Sequence, residues 1–145
     1  MGRTLRVLVG MFIALLAMGA GADSWDHDAN IGMAVEAFVS VYNTGGIDSA
    51  ASFVADCYRE IGEADEAEDQ LRRMEYCAGM DFAGYLVDRH SAEVEHTPQT
   101  GFFTPENLFT RMQRLKEWVS DPAAENQVLR AWASAAADAL SREIQ

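Results

Sequence analysis

The stretch Arg72-Arg73-Met74-Glu75-Tyr76-Cys77-Ala78-Gly79-Met80-Asp81-Phe82-Ala83-Gly84-Tyr85-Leu86-Val87-Asp88 carries the architecture of this chain. Leu71, Met74, Cys77, Ala78, Asp81, Tyr85 and Asp88 track one side of a helix, and Tyr76, Met80, Ala83 and Val87 track another. Apolar residues around so much of the circumference predict a central, well-covered helix. Gly79 and Gly84 each cost about 1 kcal/mol of helix propensity against alanine, so they predict a place where another backbone comes close. A disulfide from Cys77 would require such an approach, with Cα atoms about 5–6 Å apart. Glycines and cysteine then share one explanation, a tightly clamped helical hairpin.

The partner cysteine is Cys57, the only other one in the chain. An even pair in an exported protein reads as a disulfide. Closing a loop of roughly 20 residues is credited with about 3 kcal/mol in the chain-entropy model. A redox pair would usually show Cys-x-x-Cys, and a metal site would need two further ligands at workable spacing.

Export is read from the first residues. Arg3 and Arg6 form a basic start, residues 7–18 are apolar, and Ala20-Gly21-Ala22 places small residues where a signal peptidase reads them. The apolar and small run of about 16 residues is short for a membrane span, which needs about 20. The acidic stretch Asp23-Ser24-Trp25-Asp26-His27-Asp28 follows with no basic flank. The expectation is a cleaved signal peptide over 1–22, no stable membrane anchor after cleavage, and a periplasmic or secreted domain over 23–145. Losing Arg3 and Arg6 makes the mature chain two units more acidic than the formal −12 of the whole sequence. That charge disfavours nucleic acid and anionic lipid, and suits a basic protein partner.

Ile31, Ala34, Val35, Phe38, Val41 and Tyr42 recur at helical spacing after Asp28 or Asn30, and Thr44-Gly45-Gly46 reads as the end of that helix. A second helix is expected from Asp48, with Ala51, Val54, Cys57, Tyr58 and Ile61 as its stripe and Gly62 as its stop. The acidic run Glu63-Ala64-Asp65-Glu66-Ala67-Glu68-Asp69 reads as a solvated connection into the third helix. Segment 89–101 has no helical period and reads as a long loop. Thr104-Pro105-Glu106 and Asp121-Pro122 are helix starts, each with a capping side chain followed by proline. Leu108, Met112, Leu115 and Val119 give the fourth stripe, and Val128, Trp132, Ala135 and Ala139 the fifth. The fold class is therefore all-α, a compact five-helix bundle with one disulfide-clamped hairpin.

Few residues speak for chemistry. Asp81 lies four residues from both Cys77 and Tyr85, on one helix face. It could be a general acid or base, but a buried carboxylate first predicts hydrogen-bond partners, here a tyrosine, an amide or Arg59. His90 and His96 fall in the loop without a zinc-binding spacing, and the chain has no nucleophile elbow or phosphate-binding glycine loop. The reading is of a non-enzymatic protein with no cofactor and no metal. Phe102 and Phe103 can be core plugs or anchors for a partner.

Cys57, Cys77-Ala78-Gly79-Met80, Thr104-Pro105-Glu106-Asn107-Leu108 and the alanine-rich last helix resemble the Rap/Tai type of periplasmic immunity proteins of type VI secretion systems, over residues 52–140. The second cysteine pair that many members carry has no counterpart here. The resemblance implies an exported helical inhibitor that neutralises a cell-wall-degrading effector, with a protruding loop entering or covering its cleft. Segment 89–103 would be that loop, and His90, His96, Phe102 and Phe103 its partner contacts. A periplasmic helical chaperone or envelope-stress protein is the alternative, with methionines for adaptable contacts, and a homodimer stays open.

Overall fold

The computed structural model describes residues 25–62 and 66–145. The leader expected over 1–22 lies outside the described residues, as do positions 63–65 of the acidic run. Four α-helices follow in order: α1 (His27–Arg59), α2 (Ala67–Val94), α3 (Pro105–Arg111) and α4 (Pro122–Glu143), with a 3₁₀ turn at Gln113–Glu117 between the last two. There is no β-strand among the described residues, and none of their helices is long and apolar enough to cross a membrane. The long helices α1, α2 and α4 pack on one another pairwise, and α3 with the 3₁₀ turn forms the connecting arm.

Helix α1 runs the two helices expected before and after Gly46 together, as two helical segments joined at a kink. Asp26 caps its start by accepting from the Ala29 amide at 3.0 Å. Helical geometry breaks at Gly46, whose φ of 75° and ψ of −171° suit glycine alone, and resumes to Arg59. The Thr44 hydroxyl donates back to the Ser40 carbonyl at 2.8 Å, a bond that also bends helices. One glycine redirects the chain without an intervening loop, so the described residues hold four α-helical elements where five were expected.

Helix α2 is the centre of the molecule. Its buried residues run from Met74 to Asp88 and fall on more than one face. Cys57 and Cys77 are bonded, with Cα atoms 5.7 Å apart, so the end of α1 is stapled to α2. The glycines do not share the staple's explanation. A Cβ at Gly79 would lie 3.2 Å from Ala34 Cβ and 3.3 Å from Ile31 Cγ2, so it is the first half of α1 that approaches there. A Cβ at Gly84 would lie 2.1 Å from Cε1 of Phe103, because an aromatic ring rests where the side chain would be.

Helix α2 also outlasts its expected end by two turns. Residues 89–94 lack an apolar period, yet none of them breaks a helix. Arg89 supports this extension from the outside, reaching Glu93 at 2.7 Å and the Tyr85 hydroxyl at 3.4 Å. The helix stops at Glu95, His96 takes a left-handed φ of 56°, and Pro98 follows. The irregular segment is therefore 95–104, shorter than the sequence suggested. Beyond it both predicted capping pairs are in place, with Thr104 accepting from the Asn107 amide and Asp121 from the Ala124 amide.

Gly84→Ala is expected to lower stability by about 1–3 kcal/mol, because crowding by the Phe103 ring outweighs the gain in helix propensity. Phe103→Ala alone should cost about 3–5 kcal/mol. The double variant should lose clearly less than the sum, since the small residue at 103 makes room for the new methyl. Urea denaturation of the three proteins measures this coupling.

Candidate functional site

Asp81 stands on the middle of α2 and is 0% exposed. Arg111, at the last turn of α3, grips it with two parallel bonds, Nε to Oδ2 and Nη2 to Oδ1, both 2.7 Å. This bidentate geometry is the strongest pairing available to a carboxylate. The Tyr58 hydroxyl donates to Oδ2 at 3.1 Å from the end of α1, beside the disulfide. Arg111 also donates to the Phe102 carbonyl at 3.0 Å and lies 3.9 Å above the centre of the Phe102 ring. Of the expected partners, the tyrosine is present, while Arg59 pairs with Asp56 instead. Arg111 was not anticipated. Its only sequence signal is its place at the border of the apolar stripe, between Leu108 and Met112.

Burial pushes the Asp81 carboxyl up, and Arg111 and the Tyr58 hydroxyl pull it part of the way back. Burial likewise raises the Tyr58 phenol well above its ordinary range, reinforced by the charge of Asp81. Both oxygens of Asp81 are committed to donors on other segments. What this arrangement does chemically is hold three pieces of chain against α2.

A second carboxylate anchors the loop. Asp88, also buried, accepts from the Thr100 amide on both oxygens, at 3.2 and 3.1 Å, and from the Thr100 hydroxyl at 3.3 Å. The Asn107 side chain donates to the Gly101 carbonyl at 2.6 Å. Phe103 is 1% exposed, with its ring edge-on to Phe38 at 6.1 Å and to Phe102 at 4.8 Å. It is a core plug and has no surface to offer. Phe102 is half-buried under Arg111. His90 belongs to α2 and not to the loop, and both it and His96 are exposed. The structure thus joins Phe102 and Phe103 to the Asp81 cluster, and leaves residues 95–99 as the continuous exposed stretch of the loop.

The third buried carboxylate, Glu75, was not singled out from the sequence. Its Oε1 accepts from Trp25 Nε1 at 2.7 Å and Asn30 Nδ2 at 2.9 Å, and its Oε2 pairs with His27 Nδ1. Asn30 Nδ2 also donates to the Arg72 carbonyl at 3.0 Å. His27, read as part of an acidic terminus, is the first residue of α1 and binds the core. Among the described residues, no group of three or more His, Cys, Asp or Glu side chains is placed to hold a metal ion.

The raised phenol of Tyr58 predicts an alkaline weakness. The unfolded chain loses this proton near the ordinary value of 10.0, while the folded chain keeps it to higher pH. The stability it contributes is complete below that value and falls as pH rises above it. In Tyr58→Phe the decline of unfolding free energy over that range should be shallower than in the wild type, as followed by urea denaturation at stepped pH.

No family model matches this sequence, and no curated protein and no solved structure matches it either.

Proposed function

We propose that the protein is an exported, non-enzymatic binding protein of the periplasm, and that it neutralises a cell-wall-degrading effector by occluding the effector's cleft. The observation that carries this reading is the anchored loop. Residues 95–99 are exposed, yet the chain just beyond them is fixed from below by Asp88, Asn107 and the Phe103 plug. A loop ordered in advance loses less conformational freedom on binding, which raises affinity without added contacts. The strongly acidic chain steers a basic partner towards it. His96 and the exposed edge of Phe102 are the contacts on the loop, His90 extends them along α2, and Phe103 acts only as support. The disulfide fits an oxidising compartment, and the likeness to Rap/Tai immunity proteins supplies the class of target.

A different observation favours the chaperone reading. Phe82, Tyr85, Leu86, Leu108 and Phe109 line an apolar groove of about 250 Å³ between α2, α3 and α4, and Phe109 is 55% exposed at its edge. A client segment would sit there, away from the loop tip.

Replacing residues 96–99 by two glycines separates the readings, because it removes the tip and keeps the Thr100 anchor. A partner that co-purifies from the native envelope, identified by mass spectrometry, is titrated against both proteins by calorimetry. Occlusion predicts a wall-degrading partner whose activity on purified peptidoglycan is inhibited, and about tenfold or greater loss of affinity in the loop variant. Undiminished affinity of the loop variant would move the binding face to the helices.

A further inference from the structure

At the opposite end of α2 from the loop lies a cleft of about 480 Å³. All three tryptophans of the chain line it: Trp25 ahead of α1, Trp118 after the 3₁₀ turn and Trp132 on α4. The volume is in the range of small-molecule sites, which are mostly apolar with a few fixed polar groups. Here the polar groups are two carboxylates and an imidazole. Asp28 stands exposed at the wall, Glu75 is buried within it, and His27 is bonded to Glu75. Among the described residues, neither lysine nor arginine lines the cleft.

We propose that this cleft binds an organic ammonium group, primary or quaternary, carried on an apolar stem. Indole faces attract cations through their quadrupole, and tryptophan does so best among side chains. Trp118 already shows the chemistry, with the guanidinium of Arg114 5.5 Å from its ring centre. That arginine is committed elsewhere, to Gln70 and Glu117. Asp28 places an exposed carboxylate on the wall, and the one guanidinium beside Trp118 is itself paired with Glu117. Glu75 does not touch the ligand. It fixes the Trp25 ring through the indole N–H, and so acts as a positioning residue for the aromatic wall. The acidity of the whole chain adds attraction for a cation and none for an anion.

The tryptophans make the test direct, because an occupant of the cleft changes the surroundings of every indole in the protein. The purified protein is titrated by tryptophan fluorescence with three probes: choline, its uncharged carbon isostere 3,3-dimethyl-1-butanol, and Nα-acetyl-lysine methylamide. At least one cation is expected to give a saturable change, about tenfold tighter than the neutral isostere, as a desolvated cation–π contact implies. Tighter choline points to a free quaternary amine as the natural ligand, and tighter lysine amide to a side chain of a protein. Asp28→Asn, at an exposed position, should weaken the cation several-fold and leave the neutral isostere unchanged. Trp118→Leu should weaken it further, with far-UV circular dichroism confirming the fold of each variant. Equal binding of the isostere, no saturable signal up to about 50 mM cation, or unchanged affinity in both variants would overturn the proposal.

Discussion

The pairing of Asp81 with Arg111 is the constraint around which the other segments are arranged. Two opposite charges taken out of water are costly to bury, and the cost is recovered only with good geometry and further hydrogen bonds. Both conditions are met, since the fork is bidentate, Tyr58 supplies a third donor, and Arg111 spends a remaining N–H on the Phe102 carbonyl. The pair therefore specifies position more than it adds stability. α3 must end where its guanidinium reaches the middle of α2, and the loop must pass beneath it. Phe103 then falls onto Gly84, the one place on that face without a side chain in the way.

The same device occurs three times along α2. Glu75, Asp81 and Asp88 are each buried, and each holds a different stretch: the start of α1, the junction of α1 with α3, and the loop. Asp81 and Asp88 are a heptad apart and share a face, while Glu75 is turned away by roughly 120° at 100° per residue. Charged groups on a central helix look like a flaw in an apolar core. Each one satisfied from another segment becomes a register mark that an apolar contact would not provide, because apolar contacts tolerate sliding.

Local features were legible from residues alone. Thr104-Pro105 and Asp121-Pro122 announce helix starts because cap and first turn are set by their own neighbours. The cysteine pair was legible because the chain has no third cysteine to compete. Gly46 reads as a break and helical geometry does break there, but a glycine does not say how much chain a change of direction consumes, and here it consumes one residue. Residues 89–94 were read as loop for want of apolar period, although a helix already under way needs only the absence of a breaker to continue. Arg111 and Glu75 were opaque for a different reason. Their meaning lies in partners 30 and 45–50 residues away, which no local pattern encodes.

Urea denaturation of Arg111→Met beside the wild type tests the central constraint most directly. Removing the guanidinium while keeping its apolar stem strands a buried carboxylate, so the loss should reach about 3–5 kcal/mol. Adding Asp81→Asn to that variant should then restore much of the loss, because the charge left without a partner is gone. A stability for Arg111→Met within about 0.5 kcal/mol of the wild type, the scale of an ordinary surface substitution, would mean that the pair does not organise this fold.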